Sequence, residues 1–144
     1  MRALIDTCVI LDAIQSREPF AKEAADILLL AANNVFTGCM TAKSSTDIYN
    51  VAHRSTHSDE ASRSILNKLY TLFELLDTAA MDCRRAIPSP VKDFEDAVMI
   101  ETAVRTEMDC IVTRNTKDYS LSSVPVYTPG EFLKRVAAEQ DETN

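Results

Sequence analysis

The sequence predicts an α/β fold three layers deep, with helices on both sides of a central, mostly parallel sheet of about five strands. Two observations carry this. Five short apolar runs alternate with longer stretches whose apolar residues recur at helical spacing, the pattern of strand–helix–strand units. The 144 residues also hold no internal repeat, low-complexity tract or linker, so residues 1–138 read as one domain ahead of a polar tail at 139–144.

Arg2 to Ile5 is apolar and ends at Asp6, a strand that turns straight into a helix over Thr7 to Gln15. From Glu18 to Ala32, Phe20, Ala24, Ile27, Leu28 and Ala31 recur at helical spacing, and Asn33-Asn34 stops the helix. Val35 to Thr37, flanked by Gly38, reads as the second strand. Helical spacing resumes over Thr41 to His53, with Ile48, Val51 and Ala52 on one side. Ser58 or Asp59 caps a helix running to about Phe73, with Ile65, Leu66, Leu69 and Leu72 inward. Glu74 to Asp77 is a third strand and Ala79 to Ala86 a short helix, after which Pro88-Ser89-Pro90 forces a loop. Asp93 stands as N-cap of a helix over Phe94 to Glu107, with Asp96 as its acidic N3 residue. Cys110 to Thr113 is the fourth strand, followed by a polar loop. Val124 to Tyr127 is the fifth. Thr128, Pro129 and Glu131 have the spacing of a helix start, and the tail from Glu139 to Asn144 reads as frayed.

Composition narrows the function. With 46% hydrophobic residues the chain can bury a sizeable core, yet no apolar run approaches the ~20 residues that span a bilayer. The N-terminus lacks a signal-peptide pattern, so the expected compartment is cytoplasmic. Four scattered cysteines and two histidines form no zinc-ligand spacing. Cys8 and Cys110 lie in strand-like apolar runs and read as small core residues in a reducing compartment. A net charge of −7 argues against a simple nucleic-acid-binding module, whose affinity comes from neutralising phosphates. It does not argue against an enzyme whose acids hold metal ions, because the metal then supplies the positive charge.

Ligands of parallel sheets bind beyond the carboxyl ends of the strands. Two strand ends here carry polar groups: Asp6-Thr7-Cys8, and Thr113-Arg114-Asn115-Thr116-Lys117-Asp118. Asp93, Glu95 and Asp96 open the helix that leads into the second, and Asp47 opens an otherwise neutral helix start. Acids crowded at one sheet edge repel one another unless a cation lies between them, and hard oxygen ligands suit Mg²⁺ or Mn²⁺. Singly, each residue has a plainer reading. Asp6 serves equally as a helix cap, Asp96 as a favourable charge on the helix dipole, Asp47 as part of a cap. Asp12 reads as a solvated helix residue, Glu95 as facing solvent or Lys92, and Arg114 and Lys117 as loop charges. Joint occurrence favours the metal reading.

The same residues resemble the PIN domain, the fold of VapC-type toxin ribonucleases, over nearly the whole chain. The likeness rests on Asp93-Phe94-Glu95-Asp96-Ala97, on Cys110-Ile111-Val112-Thr113-Arg114-Asn115-Thr116-Lys117-Asp118-Tyr119, on the opening Leu4-Ile5-Asp6-Thr7-Cys8-Val9, and on Ser45-Thr46-Asp47-Ile48-Tyr49. Asp6 matches the family's first acid and Asp96 its third. Asp47 matches the second, more often glutamate. The fourth falls on Asn115, an amide that coordinates only through its carbonyl, with Asp118 three residues on to take over. The resemblance implies an Mg²⁺- or Mn²⁺-dependent endoribonuclease hydrolysing RNA phosphodiester bonds, the toxin of a toxin–antitoxin pair, with RNA, an antitoxin and a second copy of the chain as partners. It assigns catalysis to Asp6, Asp47, Asp96 and Asp118 and metal binding to Asp6, Asp96, Asp118 and Asn115. Thr113, Arg114 and Lys117 support the site or its substrate. Loss of the fourth charge leaves open a degenerate member that binds RNA or a protein without cutting. A phosphotransfer enzyme using Asp6 as nucleophile needs a second acid two residues on, where Cys8 stands, and a receiver built on Asp77 lacks a supporting partner.

Overall fold

The structure, a computed structural model, describes residues 1–143. The strands β1 (Arg2–Ile5), β2 (Thr37–Thr41), β3 (Glu74–Leu76), β4 (Cys110–Val112) and β5 (Val126–Tyr127) form one sheet in the order β3-β2-β1-β4-β5. Every pairing in it is parallel. The helices between them are α1 (Thr7–Ile14), α2 (Ala21–Ala32), α3 (Ala42–Thr56), α4 (Asp59–Leu72), α5 (Ala80–Ala86), α6 (Phe94–Arg105) and α7 (Pro129–Thr143).

Strand alternation divides the interior in two. Ala3 and Ile5 of β1, with Cys110 and Val112 of β4, face a core built with Val9, Ile10, Ile27, Leu69 and Phe132 of α1, α2, α4 and α7. Leu4 and Ile111 face the opposite core, made with Met99, Ile100 and Ala103 of α6. Ala3–Ile5 of β1 and all of β4 are therefore buried on both faces, which is why these stretches read as unbroken apolar runs.

The sheet order reverses between β1 and β4. Chain succession from β1 runs outward through β2 and β3 on one side, and β4 and β5 fill the other. A crevice opens at the carboxyl edge of such a switch point. Its two walls are Asp6, directly after β1, and Thr113, directly after β4. This order also differs from the 2-1-3-4-5 order of receiver domains, which removes the Asp77 alternative.

Several boundaries moved from expectation for identifiable reasons. The second strand is Thr37–Thr41, not Val35–Thr37. Asn34 takes a positive φ of 56°, and Phe36 turns inward to meet Phe132 edge-on at 4.9 Å, so pairing with β1 starts only at Thr37. Gly38, which read as a flank, lies within the strand, where a Cβ would meet the Phe73 ring at 2.6 Å. The second helix begins at Ala21, and Phe20 stays 41% exposed rather than facing the core. The last helix continues to Thr143, so the stretch expected to fray is helical through that residue, while Asn144 lies outside the described residues. Cys8 belongs to the first turn of α1, half-buried, not to a strand. The caps at Ser58, Asp93 and Thr128 form as expected, each accepting a backbone N–H three residues on.

Candidate metal centre

Asp6 occupies the N-cap position of α1, but its side chain makes no cap. Its backbone N–H continues the ladder to the Val112 carbonyl at 2.9 Å, which ties the residue to β4. Its Oδ2 accepts the Thr113 hydroxyl at 2.7 Å and faces the Cys8 thiol at 3.5 Å. Thr113 is fully buried, and its oxygen also accepts the Asn115 N–H at 3.1 Å. One hydroxyl thus sets the orientation of Asp6 and the turn of the loop after β4. Burial raises the Asp6 carboxyl above its ordinary range. The bonds from Thr113, Cys8 and Thr7 offset this in part, and the charge of Glu95 adds to it. Burial and the neighbouring Asp6 charge push the Cys8 thiol up to about 11, so it stays a neutral donor.

Asp96 reaches the same edge from the first turn of α6. The Asp93 cap holds its N–H at 3.0 Å, and the buried Tyr119 hydroxyl donates to its Oδ1 at 3.2 Å. Its carboxyl is pushed up to about 6, by burial first and then by the negative charges of Asp93, Asp6 and Asp118, against the lowering effect of the Tyr119 bond. Tyr119, raised by burial and by Asp6 and Asp96, keeps its proton and remains a donor. The far half of α6 is anchored by buried Asp82, which accepts from Thr102 and Arg105 at 2.9 and 2.8 Å. That anchor fixes the helix that carries Asp96.

Asp118 lies in a 3-10 turn, Thr116–Tyr119, and is exposed. With Asp93, Lys92 and Lys117 it lines a cleft of about 350 Å³. Asn115 is exposed, and its side-chain amide makes no hydrogen bond among the described residues. Lys117 forms no ion pair with the described residues. Asp47 points into a different arrangement. Lys43, one turn earlier on α3, lies 3.1 Å from Asp47 and 2.8 Å from Glu95. Burial works against the Lys43 charge, but the bonds to Glu95 and Asp47 outweigh it and hold the ammonium above its ordinary range. Glu95 therefore pairs with Lys43, not with Lys92 or solvent alone.

Two expectations are corrected. Asp12 is 1% exposed, not solvated. Arg114 does not face the acids: its guanidinium bridges both oxygens of Asp12 at 2.5 and 3.3 Å and stacks over Phe20 at 4.1 Å. A buried carboxylate requires a cation, and Arg114 is the one that α1 and the β4 loop bring to it. The sequence holds no local sign of this pair, because 102 residues separate its members. Tyr119, Thr7 and Ser44 also escaped the sequence reading. The Thr7 hydroxyl meets Ser44 at 2.7 Å and Ser44 meets Thr41 at 2.9 Å, a chain of hydroxyls that joins the starts of α1 and α3.

A divalent cation fits the donors present. Asp6 and Asp96 offer hard oxygens and lie within mutual charge repulsion, and neither pairs with a lysine or arginine among the described residues. No three His, Cys, Asp or Glu side chains among the described residues gather closely enough to enclose an ion. A cation held there would rest on these two carboxylates, with water completing its shell.

The profile of the PIN domain family matches residues 2–117 of this chain. Among solved structures the fold is shared with VapBC2 from Rickettsia felis bound to a DNA fragment from their promoter, at 17% identity and a TM-score of 0.64 over 89% of this chain and 98% of that one. It is shared with a toxin–antitoxin complex from Klebsiella pneumoniae at 22% identity and 0.64, over 88% and 97%. VapBC-1 from nontypeable Haemophilus influenzae matches at 13% identity and 0.66, over 90% and 99%. No match was found among curated protein sequences.

Proposed function

We propose that this chain, which belongs to the PIN domain family, is a divalent-metal-dependent endoribonuclease and the toxin partner of an antitoxin protein. The observation that carries the reading is the meeting of Asp6 and Asp96 at the β1/β4 switch point without a cationic partner among the described residues, with Asp96 raised to about 6 by burial and by the acids around it. Such an arrangement costs folding free energy and is relieved by a bound cation. Bound there, Mg²⁺ or Mn²⁺ would lower the pKa of a coordinated water and stabilise charge at phosphorus.

The chain's own residues do the rest. Asp6 and Asp96 would hold the cation, and the exposed Asp118 and Asn115 side chains would offer further oxygens. Thr113 aims one oxygen of Asp6, and Tyr119 aims one oxygen of Asp96. These bonds leave the remaining carboxylate oxygens for the ion and hold both ligands in place before it arrives. Lys117 lines the cleft beside Asp118 and is placed to neutralise a phosphate of the RNA. Arg114 plays no part in that, because Asp12 holds it. With the charge of the chain so negative, RNA contact depends on the metal and on such local lysines.

The solved relatives described as VapBC and toxin–antitoxin assemblies support an antitoxin partner, and we extend this to a homodimer acting on RNA in the cytoplasm. No helix of the described residues is long and apolar enough to cross a membrane. A second reading, a PIN domain that binds RNA or a protein without cutting, is favoured by Asn115, an uncharged and unengaged amide at the fourth acidic position. Cleavage of mixed RNAs in Mn²⁺ by wild type and Asp96→Asn separates the two. We expect cutting by wild type and at least a hundredfold loss in the variant. Equal cleavage by both would mark a contaminant, and Mn²⁺ binding without cutting would select the second reading.

A further inference from the structure

Lys43 is out of place in an acidic edge built to hold metal. It rises from the first turn of α3, and its ammonium lies 3.1 Å from Asp47 on the same helix and 2.8 Å from Glu95 at the start of α6, so the pair links the two helix starts. Its side chain is 40% exposed, as are those of Asp47 and Glu95 at 42% and 57%, so the three are a surface cluster and not part of the core. Glu95 adjoins Asp96 and adds its charge to Asp6. The acids at this edge therefore divide into two sets. Asp96 is repelled by both Asp6 and Asp118, and none of the three forms an ion pair among the described residues, while Asp47 and Glu95 already share a lysine.

We propose that Lys43 takes the position of a second cation at this site: it clamps Asp47 and Glu95, so that a single divalent ion is held by the Asp6–Asp96 side alone. This rests on the metal reading above. A protonated amine delivers one positive charge between two carboxylates without the geometry of a coordination shell. It is also a fixed charge that no chelator removes. Asp47 then acts as a positioning residue for Lys43, not as a metal ligand.

Calorimetric titration with Mn²⁺ of the full chain tests this, alongside Lys43→Met, Lys43→Arg and Asp96→Asn. Wild type should bind one ion. Lys43→Met, which keeps the length of the stem at an exposed position, should gain a second binding event or tighten the first about tenfold, the effect of releasing two exposed ion pairs. Adding Asp47→Asn to Lys43→Met should remove that gain, which separates release of Asp47 from a mere loss of positive charge. Lys43→Arg, which preserves the clamp, should behave as wild type. Two ions of similar affinity in wild type, or an unchanged isotherm in Lys43→Met, would overturn the role of Lys43 while leaving the metal centre intact. A gain that survives Asp47→Asn would do the same. No Mn²⁺ binding by wild type would overturn both.

Discussion

Asp96→Asn should stabilise the metal-free protein at neutral pH while it disables the site. The Asp96 carboxyl rises from 3.8 to about 6 because burial and three neighbouring acids oppose its charge. At 1.36 kcal/mol per pH unit that rise corresponds to roughly 3 kcal/mol. The side chain is part-exposed and screened by solvent, so about 1 kcal/mol is the effect to expect. Because the folded state holds this proton more tightly than the unfolded chain, the group costs nothing below about pH 4. The penalty grows as pH rises through 4 to 6 and is complete above it. Asparagine keeps the acceptor for Tyr119 and removes the charge. Thermal unfolding from pH 4 to 8 in EDTA should show the variant melting about 3 °C higher than wild type at pH 7.5, the difference vanishing near pH 4. Saturating Mn²⁺ should raise the wild type and leave the variant nearly unmoved. A variant that melts below wild type at pH 7.5, or a gap that does not change with pH, would refute the claim that Asp96 is held under repulsion.

Other substitutions probe the parts around it. Arg114→Ala strands Asp12 in the interior and should cost about 3 kcal/mol, read from the midpoint of urea unfolding, with Asp12→Asn in the same chain restoring a large share. Gly38→Ala drives a methyl into the Phe73 ring and should cost about 2 kcal/mol, and Phe73→Leu should recover part of it in the double variant. Thr113→Val removes the bond to Asp6 and the acceptor for Asn115; Mn²⁺ affinity by calorimetry should fall about tenfold with the fold retained by circular dichroism.

The layered fold was legible because its signals are local. Each strand and helix announces itself through a few consecutive residues, and caps at Ser58, Asp93 and Thr128 depend only on residues three apart. The second strand starts later than its apolar run suggests, because its start depends on where Phe36 finds Phe132 and where β1 offers a partner, neither of which is near in sequence. The second helix likewise starts later than its apolar spacing suggests, at Ala21, since Phe20 leaves the amphipathic pattern to stack on a guanidinium from the β4 loop.

At the site the division is similar. Sequence order and residue type determined that Asp6 and Asp96 would stand at strand and helix ends of a parallel sheet, and that Thr113 would follow a strand beside one of them. Which charges are available there was decided only in three dimensions. Arg114 and Asp12 cancel each other inside the protein, and Lys43 is spent on Asp47 and Glu95. Asp6 and Asp96 are left to a hydroxyl and a phenol, which orient a carboxylate without neutralising it. Charge pairing acts through space over a few ångströms, so a list of acids and bases along the chain determines their number, and folding decides which remain for a metal.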